Sequence, residues 1–118
     1  MSVAHGLIAI LPCNNLDASE AFYAKLGFRR GSGSEDYRIL CDGKGASLHL
    51  ASAVEGWLLP GRNPFGLYLY TEDVDELAAA FGDLVKHAPE NKPWGMYEFV
   101  LSDPDETLVR VGRPVLKA

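Results

Sequence analysis

Cysteine and tryptophan are scarce in this 118-residue chain, with two of each. Cys13 and Cys41 match no CxxC pattern, which removes the commonest thiol-based metal and redox motifs. One disulfide between them is possible; the expectation is a pair of reduced thiols in a cytoplasmic protein. Basic charge is also in deficit. Eleven Lys and Arg stand against 16 Asp and Glu, a net charge of −5 with a pI near 5.1. A general binder of nucleic acid or of anionic membrane carries the opposite sign, so no nucleic-acid and no membrane partner is expected. No apolar run is longer than Leu7 to Leu11, which is far too short to span a bilayer. No basic start leads into a long apolar segment, so no secretion signal is expected. Nucleophilic triads, P-loops and dinucleotide fingerprints are missing. Gly31-Ser32-Gly33 lacks the strand-to-helix setting of a phosphate cradle and reads as a mobile loop, a lid beside Tyr37.

What remains is ordinarily globular: 47% hydrophobic and 23% charged residues, in a length that allows one compact domain or two small modules sharing a core. Leu7 to Leu11 reads as a buried strand ended by Pro12. Asn15 or Asp17 caps a helix with the apolar stripe Ala18, Ala21, Phe22 and Leu26, closed by Gly27. Phe28 starts a short strand. Tyr37 to Cys41 and Ala46 to Ala51 form a hairpin about Asp42-Gly43. The second half repeats this order. Gly66 to Tyr70 alternates as a strand, and Asp73 with Glu76 has capping-box spacing. Leu77, Ala80, Phe81 and Leu84 form the helix stripe. Val85 to Ala88 is a short strand or its approach. Tyr97 to Leu101 and Leu108 to Val111 are strands about the Asp103-Pro104-Asp105-Glu106 turn.

Asn15 falls on Asp73, Tyr23 on Phe81 and Leu26 on Leu84, all at the same offset of 58. Self-similarity of this kind outweighs any single propensity. The expected fold is α+β: two tandem βαβββ modules forming a curved mixed sheet around a cleft. They form a single domain over 1–118, with modules at about 1–52 and 64–118 joined by the loop 53–63. One helix covers one face of each sheet, so the other face is exposed or curled around a cavity.

Three stretches carry a resemblance. They are Leu11-Pro12-Cys13-Asn14-Asn15-Leu16-Asp17 running on to Phe22-Tyr23, then Leu26-Gly27-Phe28, then Lys92-Pro93-Trp94-Gly95-Met96-Tyr97-Glu98-Phe99 leading into Ser102-Asp103-Pro104-Asp105. With the repeated βαβββ order they resemble the vicinal-oxygen-chelate superfamily of glyoxalases, extradiol dioxygenases and bleomycin-resistance proteins. Pro-Trp-Gly followed by Glu-Phe is closest to the bleomycin-resistance branch. Metalloenzymes of that superfamily place a His seven residues before the Asp-Leu that opens each helix, and a carboxylate in the last strand of each module. Here those positions hold Ile8, Gly66, Ser47 and Arg110. Two cannot ligate through a side chain and Arg110 repels a cation, so no metal and no other cofactor is expected.

Strand alternation puts Gly66, Tyr68 and Tyr70 on the cavity face, with Ser47, His49 and Ala51, and with Leu108 and Arg110. The resemblance implies that Tyr37 and Trp94 stack on a ligand and that Tyr68 occupies a further aromatic position. The candidate ligand-binding set is Tyr37, Trp94, Tyr68, His49, Tyr70, Met96, Glu98 and Arg110, with no catalytic residue. Each has a structural alternative: Tyr68 and Tyr70 as fillers of the concave face, His49 as a hydrogen-bonded structural residue, Arg110 as the partner of Glu98. Cys13 reads as packing, and His5 and His87 as surface residues. Trp57 lies in the inter-module loop. Asp36 and Glu98 would favour a cationic tail. The function implied is sequestration of a flat, cationic, bleomycin-type antibiotic by a homodimer, with exchange of the N-terminal strand a habit of the family. The alternative is an enzyme of the same superfamily that uses no metal or an atypical one, with His49 as base and Arg110 as anchor. A third reading is an interaction module without small-molecule function.

Overall fold

The computed structural model describes residues 5–115; the expected outer module limits, 1 and 118, lie outside them. The chain divides between Leu58 and Leu59 into two compact units. The first contains β1 (Ile10–Cys13), α1 (Leu16–Ala24), β2 (Arg29–Gly33), β3 (Tyr37–Cys41) and β4 (Ser47–Ser52). The second contains β5 (Gly66–Tyr70), α2 (Val74–Phe81), a 3-10 turn (Gly82–Leu84), β6 (Glu90–Asn91), β7 (Met96–Ser102) and β8 (Leu108–Pro114). The strand orders, β1-β4-β3-β2 and β5-β8-β7-β6, are the same pattern twice. In each unit the first strand pairs in parallel with the last, and the other pairings are antiparallel. The class is α+β, as the repeat implies. Among the described residues, no helix is long and apolar enough to cross a membrane.

Each sheet buries one face under its helix. In the first unit Leu11, Leu40, Leu48 and Leu50 lie beneath α1, which contributes Leu16, Ser19, Phe22 and Tyr23. The stripe is therefore out of phase with the expected one, since Ala18 and Ala21 are exposed. A methyl side chain adds too little buried area to set the phase against Phe22 and Tyr23. Asn15 caps α1 by accepting from the Ala18 N–H at 3.0 Å. Phe28 N–H bonds to Tyr23 C=O and Gly27 N–H to Ala24 C=O, the Schellman closure, with Gly27 at φ 99°.

Several expectations need correction. The run Leu7 to Leu11 is not a buried strand: Leu7 is 99% exposed, and the strand starts at Ile10 and continues through Pro12. Pro12 is tolerated because β1 has only β4 as a neighbour, and an edge strand can spare a donor. Gly31 to Gly33 is not a loop but part of β2, with a bulge between Arg30 and Ser32. Glycine supplies the bulge, and a Cβ at Gly33 would run into the Tyr37 carbonyl. The Asp73 side chain makes no capping bond to α2; instead Thr71 Oγ1 accepts from Asp73 N–H at 3.1 Å. Ala80 and Leu84 are exposed, because α2 passes into the 3-10 turn after Phe81. Of the two readings of Val85 to Ala88, the approach holds and the strand does not: the short edge strand is Glu90–Asn91.

The register keeps the two cysteines apart. Cys13 lies opposite Ser52 at one end of β4 and Cys41 opposite Ser47 at the other. That separation is about 17 Å along the strand, beyond disulfide reach.

Leu50 is fully buried, whereas Ile39, on the helix-free face, is 37% exposed. Leu50→Ala is expected to cost about 2–5 kcal/mol in urea unfolding. Ile39→Ala is expected to cost about 1 kcal/mol or less. Equal losses would show that the helix-free face is as tightly packed as the helix face.

Candidate functional site

The helix-free face of the second sheet is built from alternate residues of its strands. Tyr68 lies opposite Arg110, Tyr70 and Glu98 both lie opposite Gly112, and Met96 lies opposite Pro114. Trp94 precedes β7 in a turn where Gly95 takes φ 88°. The alternation expected from sequence holds here, with Leu67 and Leu69 on the opposite face.

Glu98 is the centre of this face. It is 1% exposed, and both of its carboxylate oxygens are engaged. Oε1 accepts from Trp94 Nε1 at 2.9 Å and from Tyr68 Oη at 3.0 Å; Oε2 accepts from an Arg110 N–H at 2.9 Å. Burial, the largest influence, pushes the Glu98 carboxyl up. The bonds from Trp94, Arg110 and Tyr68 and the Arg110 charge outweigh it, so the group titrates below its usual range. Tyr68 shows the converse: burial, then the bond to Glu98, pushes its phenol up to about 12. Arg110 also lies over the Trp94 ring, its guanidinium carbon 5.8 Å from the centroid. Tyr68 stacks on Tyr70 at 4.6 Å and 29°. Tyr70 and Trp94 are 68% and 59% exposed, so each keeps much of its ring surface in solvent although Tyr68 stacks on the one and Arg110 lies over the other.

A cavity of about 430 Å³ lies against this cluster, lined by His87, Glu90, Lys92, Trp94, Glu98 and Arg110 together with Ala88, Phe99 and Val100. Glu90 and Lys92 are bridged at 2.6 Å. His87, Glu90 and Lys92 were not among the candidate ligand-binding residues, because the segment from Val85 to Lys92 holds only a two-residue strand and shows no periodicity. Gly112 was also missed. A Cβ there would meet Tyr68 Oη at 2.5 Å and the Glu98 Cβ at 2.6 Å, so only glycine lets these side chains meet above β8.

The first sheet carries its own cluster on the helix-free face. Tyr37 Oη and His49 Nδ1 are 2.7 Å apart, with the rings edge-to-face at 5.3 Å. Ile10 and Ile39 flank His49 in register. Asp36 is exposed and accepts from Ser52 Oγ at 3.4 Å. Trp57 is 64% exposed. Cys13 is buried with its thiol directed at the Leu11 carbonyl, 3.4 Å away, as a packing role requires. One role changes: Glu98 is enclosed and spent on three donors, so it is a support for Trp94, Tyr68 and Arg110 rather than an open carboxylate for a cation.

The chain belongs to the Glyoxalase/Bleomycin resistance protein/Dioxygenase superfamily, whose model matches residues 4–111. Among solved structures it is similar to a bleomycin resistance determinant encoded on the transposon Tn5. The identity is 28%, over 96% of this chain and 100% of that one, with a TM-score of 0.79. It is equally similar to a bleomycin-binding protein complexed with bleomycin: 28% identity, 94% and 98% coverage, TM-score 0.77. A lactoylglutathione lyase from Agrobacterium tumefaciens is 25% identical over 96% of each chain, with a TM-score of 0.70. No curated protein matches the chain.

The residues present do not fit a divalent metal. Ile8 and Gly66 offer no donor, and Arg110 is a cation bonded to Glu98. The register corrects one equivalence. Tyr37 lies two residues from Ile39, opposite His49, as Glu98 lies two from Val100, opposite Arg110. The counterpart of Arg110 is thus His49, and that of Ser47 is Leu108. His49 adds one nitrogen donor, still short of the several a divalent ion needs. Among the described residues no three His, Cys, Asp or Glu side chains cluster for a metal.

Gly112→Ala is expected to force the Tyr68 hydroxyl off Glu98, so that ultraviolet titration finds a phenol pKa returning from about 12 toward the ordinary 10. A pKa unchanged from wild type would place the hydrogen bond elsewhere. Glu98→Gln is expected to cost about 1–3 kcal/mol at neutral pH. Because the folded Glu98 pKa is depressed, its stabilisation is complete above 4.5 and lost as pH falls through the folded value. The two proteins should therefore converge in melting temperature in acid; a constant gap would contradict the shift.

Proposed function

We propose that the protein is a non-catalytic binder of flat small molecules of the bleomycin type, conferring resistance by holding the drug away from its target. The observation that carries the reading is the tethering of Trp94 and Tyr68 to one buried carboxylate, which presents aromatic surface in a fixed orientation beside a cavity. Fixed rings bind flat heteroaromatic groups without losing rotamer freedom, each adding about 0.5–1.5 kcal/mol beyond area burial. Tyr37, held by His49, supplies a second such ring on the first sheet. The similarity to a bleomycin-binding protein and to a bleomycin resistance determinant supports the choice of drug class.

A homodimer is part of the proposal. Ile10, Ile39, Val100 and Leu108 are all 37% or more exposed on helix-free faces, and a second copy would bury them. A cytoplasmic setting is supported by thiols that the register holds too far apart to bridge. A second reading, a metal-independent enzyme, draws on the 2.7 Å Tyr37–His49 contact, in which His49 is the candidate base, and on the lactoylglutathione lyase similarity.

Bleomycin is expected to raise the melting temperature, by the equivalent of about 2.7 kcal/mol at a hundred times Kd. Trp94→Ala and Tyr37→Ala should abolish the shift while remaining folded. Failure of bleomycin and related glycopeptides to stabilise the wild-type chain would sink the proposal, and turnover of a small thiol adduct would favour the enzyme. Sedimentation showing only monomer at high concentration would remove the dimer.

A further inference from the structure

The Glu98–Arg110 pair is unequal in its exposure. The Glu98 side chain is 1% exposed and that of Arg110 is 41%, and both border the same cavity. Glu98 spends its oxygens on Trp94, Tyr68 and Arg110. A guanidinium carries five N–H donors in a planar fork, and Glu98 takes one of Arg110's. A molecule entering the cavity therefore meets the cation of this pair and not its anion. The other ion pair on the wall, Lys92 with Glu90, is closed at 2.6 Å and its carboxylate is 61% exposed. Here the anion is the more exposed partner, but it lies at a solvated rim, where water screens it and Lys92 offsets its charge. The remaining titratable wall group, His87, is exposed. Trp94 shares the cavity with Arg110 and is fixed at its indole nitrogen.

We propose that this cavity selects planar aromatic ligands that carry a carboxylate, with Trp94 as the stacking surface and Arg110 as the reader of the anion. The inference rests on the reading of this face as a small-molecule site and adds the charge class of the ligand. The Arg110 fork matches the two oxygens of a carboxylate, and Glu98 behind it holds the guanidinium in place. Glu98 is enclosed, so the carboxylate a cationic ligand could reach from this cavity is that of Glu90, which Lys92 already neutralises at 2.6 Å. The net charge of −5 describes the whole surface, whereas selectivity is set by the groups that reach the cavity.

The test is to titrate 2-naphthoate and 2-naphthylmethylammonium, one ring with opposite charges, into the full chain carrying Trp57→Phe. Trp94 is then the sole indole and its emission reports binding. The carboxylate should bind about tenfold tighter or more, the size expected of a charge-assisted hydrogen bond at a partly exposed site. The double variant Glu98→Gln with Arg110→Gln keeps a hydrogen-bonded pair without stranding a buried charge, and should lose the preference. Arg110→Lys should keep part of it, which guards against a double variant that fails to fold. Equal affinities, tighter binding of the ammonium, a preference that survives in the double variant, or no binding of either probe would overturn the proposal. Stabilisation by bleomycin with no carboxylate preference would overturn this inference and leave the binding reading standing. A carboxylate preference without bleomycin binding would do the reverse.

Discussion

A carboxylate with 1% of its surface in contact with water has to be answered by donors, and Glu98 sets the terms for everything around it. Removing a carboxylate from water costs several kcal/mol unless charge and hydrogen bonds replace the lost hydration. The replacements come from three separate elements: Tyr68 from β5, Arg110 from β8 and Trp94 from the turn before β7. Each loses rotational freedom in meeting the same group. The requirement extends to the backbone, since Tyr68 reaches across β8 only because residue 112 has no Cβ. An exposed face that would otherwise hold mobile aromatic side chains is thereby given one arrangement.

The two units share this plan in different chemistry. In register, Tyr37 and His49 occupy the places of Glu98 and Arg110, and Ala51 occupies that of Gly112. Both pairs are bonded, at 2.7 and 2.9 Å. A diagonal polar pair across the two antiparallel central strands is therefore a property of the repeated framework. The first unit fills it with neutral-capable groups and the second with a full ion pair. One helix per four-stranded sheet makes this possible, because the uncovered face is where polar groups find both partners and solvent.

Much of this was legible in the sequence. Alternation assigned the faces of β4, β5 and β8 correctly, since a period of two survives any small error in strand boundaries. The pairing of Arg110 with Glu98 was one of the roles open to Arg110 in the sequence, and the enclosure of Glu98 makes it necessary, because a carboxylate buried without a partner is costly. The offset of 58 located the first strand and helix of each unit, but the hairpins run at an offset of 61, as Tyr37 to Glu98 and His49 to Arg110 show. Residues added between α2 and β7 change the count, and a single offset cannot register them. That is why Ser47 was matched to Arg110 in place of His49. Glycines were legible as turns and illegible as close contacts. Gly112 lies in mid-strand, where its role depends on side chains from two other strands that no local pattern connects.

Arg110 also ties the absence of a fitting metal site to the presence of an ordered aromatic one. A guanidinium at that position bars a divalent cation by charge and supplies no lone pair. It still needs a counter-ion, and the residue diagonal to it across β7 is Glu98. Once buried against Arg110, Glu98 has lone pairs that must be satisfied, and the indole and phenol nearest to it do so. A neutral side chain at 110 would remove the opposing charge and one of the three bonds that hold Glu98 down, weakening the anionic acceptor to which Trp94 and Tyr68 are tied. Incompatibility with metal chemistry and the fixed orientation of the rings thus meet at one arginine, which bars a cation and shares with Trp94 and Tyr68 the task of keeping Glu98 charged.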